Sequence, residues 1–443
     1  MLFMLEEYVK KYEERTRSSK MLFEDAKNIF AGGVNHNIRY FHPYPFFTVR
    51  SKGKYLYDID NNSYTDYWMG HWSLILGHAH DYVINKIKEQ AENGTIYGTV
   101  NKQSLELAYI INKLIPKAEM IRFANTGAEV TMYAIRLARA YTRKKIVVKI
   151  EGGWHGFNTD LLNGVNYPFT SEGLGLLEEE SRYVRNIPYN DIDAINKLDD
   201  IRDDIACIIV EPFLGGAGAI PADKDYLKAL EEYAKNSNSL FILDEIVTAF
   251  RFRAGSMHDM LGLDPDLITL GKIVGGGLPI GVLSGKKEIM RLASPLLNNN
   301  ERCNIGGGTF SANPITMAAG IATLEYLKDN PSIYDKINNL GEKARREIDK
   351  IMYEYKIRTH TTGFGSLFLT HFLTDDIDLI KNARDASLAD IKLQKAYHLA
   401  LMTYDIFFLP SKLGAISIIH DKNDIDKLIE ASSEIAAKIS YCL

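Results

Sequence analysis

Between Leu240 and Gly281 the chain reads LFILDEIVTAFRFRAGSMHDMLGLDPDLITLGKIVGGGLPIG. Two short apolar runs lie in it. Leu240-Phe241-Ile242-Leu243 ends on Asp244-Glu245, and Leu267-Ile268-Thr269-Leu270 ends on Gly271-Lys272. Unbroken apolar runs of this length fit parallel strands buried on both faces. In sheets of that kind the chemistry collects beyond the carboxyl ends of the strands. The stretch therefore demands a packed α/β core, and it delivers one carboxylate and one lysine to the same edge of one sheet.

Each residue alone has a plain alternative. A lysine between Gly271 and Ile273-Val274, with three glycines following, is partly desolvated; that lowers its pKa and frees the nucleophilic amine that a Schiff base needs. It also fits a lysine snorkelling out of an apolar segment. Asp244 equally fits the cap of a following element. The pair is more specific than either member.

Asp244-Glu245-Ile246-Val247-Thr248-Ala249-Phe250-Arg251, followed by Gly271-Lys272-Ile273-Val274-Gly275-Gly276-Gly277-Leu278-Pro279, resembles the class III pyridoxal-phosphate-dependent aminotransferases. Within them it is most similar to the glutamate-1-semialdehyde 2,1-aminomutase branch. Matching motifs run from about residue 22 to the C-terminus. The resemblance implies a fold-type I α/β enzyme: a large domain with a mostly parallel seven-stranded sheet flanked by helices, plus a small α+β domain. The expected boundaries are 1–80 for an N-terminal helix and small antiparallel sheet that pack with the small domain, 81–325 for the cofactor-binding domain, and 326–443 for the small domain. It implies pyridoxal 5′-phosphate held on Lys272, with Asp244 paired to the ring nitrogen so that the cofactor acts as an electron sink.

Other segments add to this. Gly32-Gly33-Val34-Asn35 leads to Arg39, which falls where the family has an arginine for the substrate carboxylate; its planar fork suits that task, although a surface arginine fits the local sequence as well. Phe123-Ala124-Asn125-Thr126-Gly127-Ala128-Glu129 precedes a helical pattern. Thr126 and Glu129 form a capping-box spacing, and free N–H groups at a helix start also bind an anion such as the cofactor phosphate. Ala128 stands where the family carries a hydroxyl. Trp154, before His155-Gly156, matches the aromatic residue that covers one face of the ring, and Ile246 would pack the other. Glu211 is a further strand-end carboxylate close to the cofactor. Residues 157–186, polar and glycine-containing, fit a lid. Thr309, after Gly306-Gly307-Gly308, matches the threonine that reaches the phosphate in the neighbouring subunit, which implies a homodimer with shared sites; an ordinary glycine turn is the alternative.

Four positions depart from the aminomutase pattern: His71 for a tryptophan, Gly216 for an asparagine, Ile305 for a tyrosine, and Gly414 for a glutamate. With the cofactor residues intact, they favour an aminotransferase that moves an amino group from a carboxylate-bearing donor to a keto or aldehyde acceptor. The alternative is the aminomutase itself, which returns the amine to a neighbouring carbon of the same molecule and yields 5-aminolaevulinate.

Composition excludes other classes. Of 443 residues, 46% are hydrophobic and 25% charged, with a net charge of −5 and no basic stripe for nucleic acid. Cys207, Cys303 and Cys442 show no metal or redox spacing. His71, His78 and His80 have no carboxylate or cysteine at ligand spacing, so loop or capping roles are expected and no metal. No apolar run reaches membrane-spanning length, and the expected compartment is the cytoplasm. Ile273 after Lys272 and Asp266 ahead of it break a nucleotide-binding P-loop.

Overall fold

A computed structural model describes residues 2–170 and 173–442. Ser171 and Glu172, within the segment read as a lid, lie outside the described residues. The chain divides into two compact units. One comprises residues 81–334 with 381–386, and the other residues 1–80, 335–380 and 387–443.

The larger unit is built on a seven-stranded sheet. Its order across the sheet is Met120–Ala124, Gly281–Gly285, Leu267–Gly271, Leu240–Asp244, Ile205–Val210, Ile146–Ile150 and Val184–Ile187. Gly281–Gly285 runs antiparallel to both its neighbours, and the other pairs are parallel. The three central strands that end near the site, Leu240–Asp244, Leu267–Gly271 and Ile205–Val210, are buried at every residue. That accounts for their unbroken apolar sequences, since both faces are covered by helices. Helix Gly127–Thr142 lays Val130, Ala134, Leu137 and Ala138 on the sheet, against Val147, Cys207, Ile209, Ile242 and Leu283. Helix Pro314–Asp329 starts with a proline in its first turn and Asn313 as its N-cap, whose side chain accepts from the Thr316 amide.

The described part of residues 157–186 includes regular elements. It contains the short helices Thr159–Leu162 and Glu178–Ser181, and Val184–Ile187 is the edge strand of the main sheet. That strand is only partly buried, as an edge position allows, so it lacks the apolar run that marks the central strands.

The smaller unit has a sheet of Thr48–Lys52, Tyr55–Asp58, Ser63–Asp66 and Ile406–Phe407, and a second of Thr359–Phe364, Leu367–Phe372 and Gly414–Ala415. Helices Leu2–Arg15, Arg17–Ala26, Ile391–Met402 and Lys422–Cys442 belong to it. Tyr12 ties the N-terminal helix to the loop before the first strand, its hydroxyl donating 2.9 Å to the Tyr44 carbonyl. His78 does have a carboxylate partner: its Nε2 lies 2.7 Å from Asp66 Oδ2, whose two oxygens also accept the Trp68 and Met69 amides. The pair pins the turn at residues 66–69. Among the described residues, no helix is long and apolar enough to cross a membrane.

Candidate active site

The site assembles at the carboxyl ends of three adjacent strands. Leu243 is in register with Val210, so Asp244 and Glu211 follow side by side on neighbouring strands. On the other side Asp244 is in register with Thr269. Lys272 follows Gly271 directly and opens a single 3-10 turn, Lys272–Gly275. Its φ is 48°, in the left-handed region that non-glycine residues seldom occupy. Held strain of this sort is characteristic of functional positions.

Asp244 is 3% exposed and fully engaged. His155 Nδ1 lies 2.7 Å from its Oδ2, while its Oδ1 accepts the Thr269 hydroxyl at 2.9 Å and the Ile246 amide at 3.1 Å. Burial pushes the His155 imidazole down despite the facing carboxylate. A neutral ring then donates from Nδ1, which fixes the tautomer. Glu211 accepts the Trp154 amide at 2.9 Å and the Gly215 amide at 3.3 Å. Burial, and then the adjacent Asp244 charge, push its carboxyl up to about 8 against the pull of those two donors. Burial lowers the Lys272 amine; Asp244 and Glu211 oppose that shift, and the Arg251 guanidinium adds to it. Arg251 is itself completely buried, and burial pushes it down to about 10.

The candidate anion cradle is the start of helix Gly127–Thr142. Its capping box is formed: Thr126 Oγ1 accepts the Glu129 amide at 3.2 Å, and Glu129 Oε2 accepts the Asn125 and Thr126 amides at 2.8 and 3.0 Å. Capping consumes the Glu129 amide. The Gly127 and Ala128 amides, in the first turn, have no intrahelical acceptor available. The structural reading of this segment holds, and the capping box leaves room for the anion-binding one. Gly127 lets the Ile246 side chain come close: a Cβ there would lie 2.7 Å from Ile246 Cδ1, and the side chain would have to shift. A Cβ added at Gly271 would lie 3.2 Å from Ile246 Cγ2, so the same side chain also packs close to that glycine. It thus links the helix start to the strand that delivers Lys272.

Trp154 is 38% exposed, its ring edge-on to Phe157 at 4.8 Å. The large unit accordingly brings together Thr126, Gly127, Ala128, Trp154, His155, Glu211, Asp244, Ile246 and Lys272. Thr309 is exposed in the turn before helix Pro314–Asp329. Arg39 belongs to the smaller unit; it is exposed at the end of a 3-10 turn, and its Nη1 donates to Asn35 Oδ1 at 3.2 Å.

Several residues escape a reading of the sequence. Thr269 looks like one more strand residue, and only the register reveals it as an Asp244 partner. Glu245 is wholly buried and accepts the Met257 amide at 2.7 Å and the His258 amide at 3.1 Å, which ties the start of helix Met257–Leu261 back to the end of the Leu240–Asp244 strand. Lys149 is fully buried beneath the loop that carries Trp154. The KIVVKIE pattern reads it as an ordinary polar strand position.

A strand-end carboxylate locked by a histidine, a buried amine with a lowered pKa and free amides at a helix start fit a pyridine ring, an aldehyde and a phosphate ester respectively. Fold and site together define a fold-type I pyridoxal-phosphate-dependent enzyme. The Aminotransferase class-III family signature matches residues 38–396. The chain belongs to that family, and its cofactor is pyridoxal 5′-phosphate. It is 38% identical over 424 residues to the glutamate-1-semialdehyde 2,1-aminomutase of Methanocaldococcus jannaschii, covering 94% of this chain and 97% of that one. It is 39% identical over 436 residues to the same-named enzyme of Sulfurisphaera tokodaii, covering 95% and 100%. Among solved structures, a transaminase with PLP bound superposes with a TM-score of 0.86 at 27% identity, covering 96% and 98%.

Proposed function

We propose that this enzyme is a glutamate-1-semialdehyde 2,1-aminomutase, which transfers the amine between neighbouring carbons of one substrate and releases 5-aminolaevulinate. The observation that carries this is the location of the departures from the aminomutase pattern. Ile305 is buried in the hydrophobic core of the large unit with Ala124, Val130 and Leu283. Gly414 lies in a buried strand, where a Cβ would meet the Phe408 ring at 2.2 Å. Both are packing adjustments to this chain's own neighbours, so neither argues for a different substrate. The near-full-length relatives with the aminomutase name support the same conclusion.

Bound pyridoxal phosphate supplies an electron sink next to the substrate carbon that loses a proton. Lys272 would hold the cofactor and, once displaced by substrate, its neutral amine would take the proton from the amine-bearing carbon and return it at the cofactor's C4′. Asp244 would keep a proton on the ring nitrogen, and His155 and Thr269 hold that carboxylate in place. The Gly127 and Ala128 amides would bind the phosphate, with Thr126 at the cap. Trp154 would cover the ring on one side and Ile246 on the other. Arg39 would bind the substrate carboxylate. Thr309 would serve the site of a second subunit in a homodimer.

A second reading, intermolecular aminotransfer, is favoured by the two remaining departures. Gly216 is exposed with its Cβ position 3.4 Å from Trp154 Cβ, which leaves open the space an asparagine would fill. His71 packs its ring 4.5 Å from Trp68 and 5.5 Å from His36. The test loads the protein with pyridoxamine phosphate and adds glutamate-1-semialdehyde with no other donor or acceptor. Many turnovers of 5-aminolaevulinate are expected. No product, from protein that still interconverts the cofactor's amine and aldehyde forms with an amino acid, overturns the aminomutase in favour of the aminotransferase.

A further inference from the structure

The peptide unit joining Gly153 to Trp154 is gripped at both ends by buried side chains, a lysine at one end and a glutamic acid at the other. At its carbonyl, Lys149 Nζ donates to Gly153 O at 3.1 Å. At its amide, Trp154 N donates to Glu211 Oε1 at 2.9 Å. Lys149 is 0% exposed, and its other two N–H bonds go to Leu161 O at 3.0 Å and Asn163 O at 2.6 Å. An ammonium has three donors, and here three backbone carbonyls meet them. All three acceptors lie in the segment that leaves the Ile146–Ile150 strand, on either side of the turn bearing Trp154 and His155. The peptide dipole points its negative end at the lysine and its positive end at the carboxyl group, the favourable sense at both ends.

We propose that Lys149 and Glu211 act as a clamp on the Gly153–Trp154 peptide and are the positioning residues that aim the Trp154 ring and the His155 imidazole. Neither touches the reacting atoms. Lys149 acts through Gly153, and Glu211 acts through the Trp154 amide. The same lysine ties this turn to residues 161–163, and Asn163 Oδ1 in turn accepts from Asn186 Nδ2 at 2.6 Å on the edge strand. One ammonium thus couples the aromatic cover, the histidine behind Asp244 and the start of the lid segment. The clamp's weight in catalysis rests on the cofactor-binding reading above; the clamp itself is a property of the protein alone.

The experiment therefore begins without cofactor. Acrylamide quenching of Trp154 is obtained as the difference between each chain and its W154F counterpart. Quenching is expected to rise about twofold in K149M and in E211M, because each leaves one end of the peptide unbound. E211Q keeps an acceptor for the Trp154 amide and stays near wild type. K149Q keeps two donors and shifts in the same direction by less, which serves if K149M fails to fold. The second readout is the Kd for pyridoxal phosphate. K149M and W154A each weaken binding about tenfold, and the double variant is no weaker than either single one, as expected when one residue acts through the other. Folded K149M and E211M chains with unchanged Trp154 quenching, or effects on Kd that add in full, overturn the clamp. Wild-type protein that binds no pyridoxal phosphate would sink the functional reading and leave the quenching result to decide the clamp.

Discussion

Two carboxyl groups and one amine share the end of the sheet, and their protonation divides the labour. Asp244 has three partners, and in its proposed role its carboxylate would hold a protonated ring nitrogen. Glu211, beside it, is the group that gives way: burial and the Asp244 charge hold it up at about 8 from an ordinary value of 4.5. The sign for stability follows. A carboxyl raised in the folded state contributes stability that is complete below pH 4.5 and is lost as pH climbs through about 8. The thermal midpoint of cofactor-free protein should therefore fall between pH 5 and about 8.5 in wild type, and E211Q should flatten that fall. The same slope in both proteins would remove Glu211 as its cause. For Lys272, the lowered pKa and the strained φ both fit the proposed role of an amine kept ready for an aldehyde. K272A is expected to lose about a thousandfold or more in turnover. It should also lose the borohydride-bleachable absorption band of the wild-type holoenzyme; a K272A band that still bleaches covalently would point to another lysine.

At the scale of the element, the start of helix Gly127–Thr142 joins a cap to a proposed binding role. Its capping box fixes the backbone, and the amides that capping leaves over would bind the anion. T126A removes an oxygen that accepts the Glu129 amide, so a loss of about 1 kcal/mol in unfolding free energy is expected. The Kd for pyridoxal phosphate should weaken several-fold with it, measured by titration of the visible band. A chain destabilised with an unchanged Kd would assign Thr126 to the helix alone. Elements with a strong local signal were readable in the sequence. The strands before Asp244 and Lys272 are apolar because they are buried on both faces, and the residue where each run stops is the residue at the edge. Val184–Ile187 was not readable. An edge strand is half solvated, and its mixed polarity blends with the loop before it. Lys149 was hidden for the opposite reason: a lysine in a strand looks exposed, and only three carbonyls arriving from residues 153–163 explain its burial. Ile305 and Gly414 looked like departures that favour an aminotransferase because alignment to a pattern carries no packing. The core around Ile305 and the Phe408 ring against Gly414 explain them.

For the whole molecule, the sharpest expectation concerns subunits. Thr309 is exposed and follows three exposed glycines, with Phe310 beside it 61% exposed. A turn of this kind has few reasons to present an aromatic ring to water, and an interface is one of them. If Thr309 completes the partner's phosphate site, the two parts of one catalytic centre lie on different chains, and complementation follows from symmetry. K272A and T309A homodimers would each be impaired. A heterodimer of the two would hold one site with both lesions and one site with neither. Random reassociation of equal amounts makes half the dimers mixed, so about a quarter of all sites regain the wild-type pair. Co-refolded K272A and T309A should therefore recover about a quarter of wild-type turnover per site, well above the mean of the two separate proteins if T309A alone loses most of its activity. Recovery should vanish when the two are mixed without reassociation. Recovered activity that never exceeds that mean, in a population shown by mass spectrometry to contain heterodimers, would return Thr309 to its own chain.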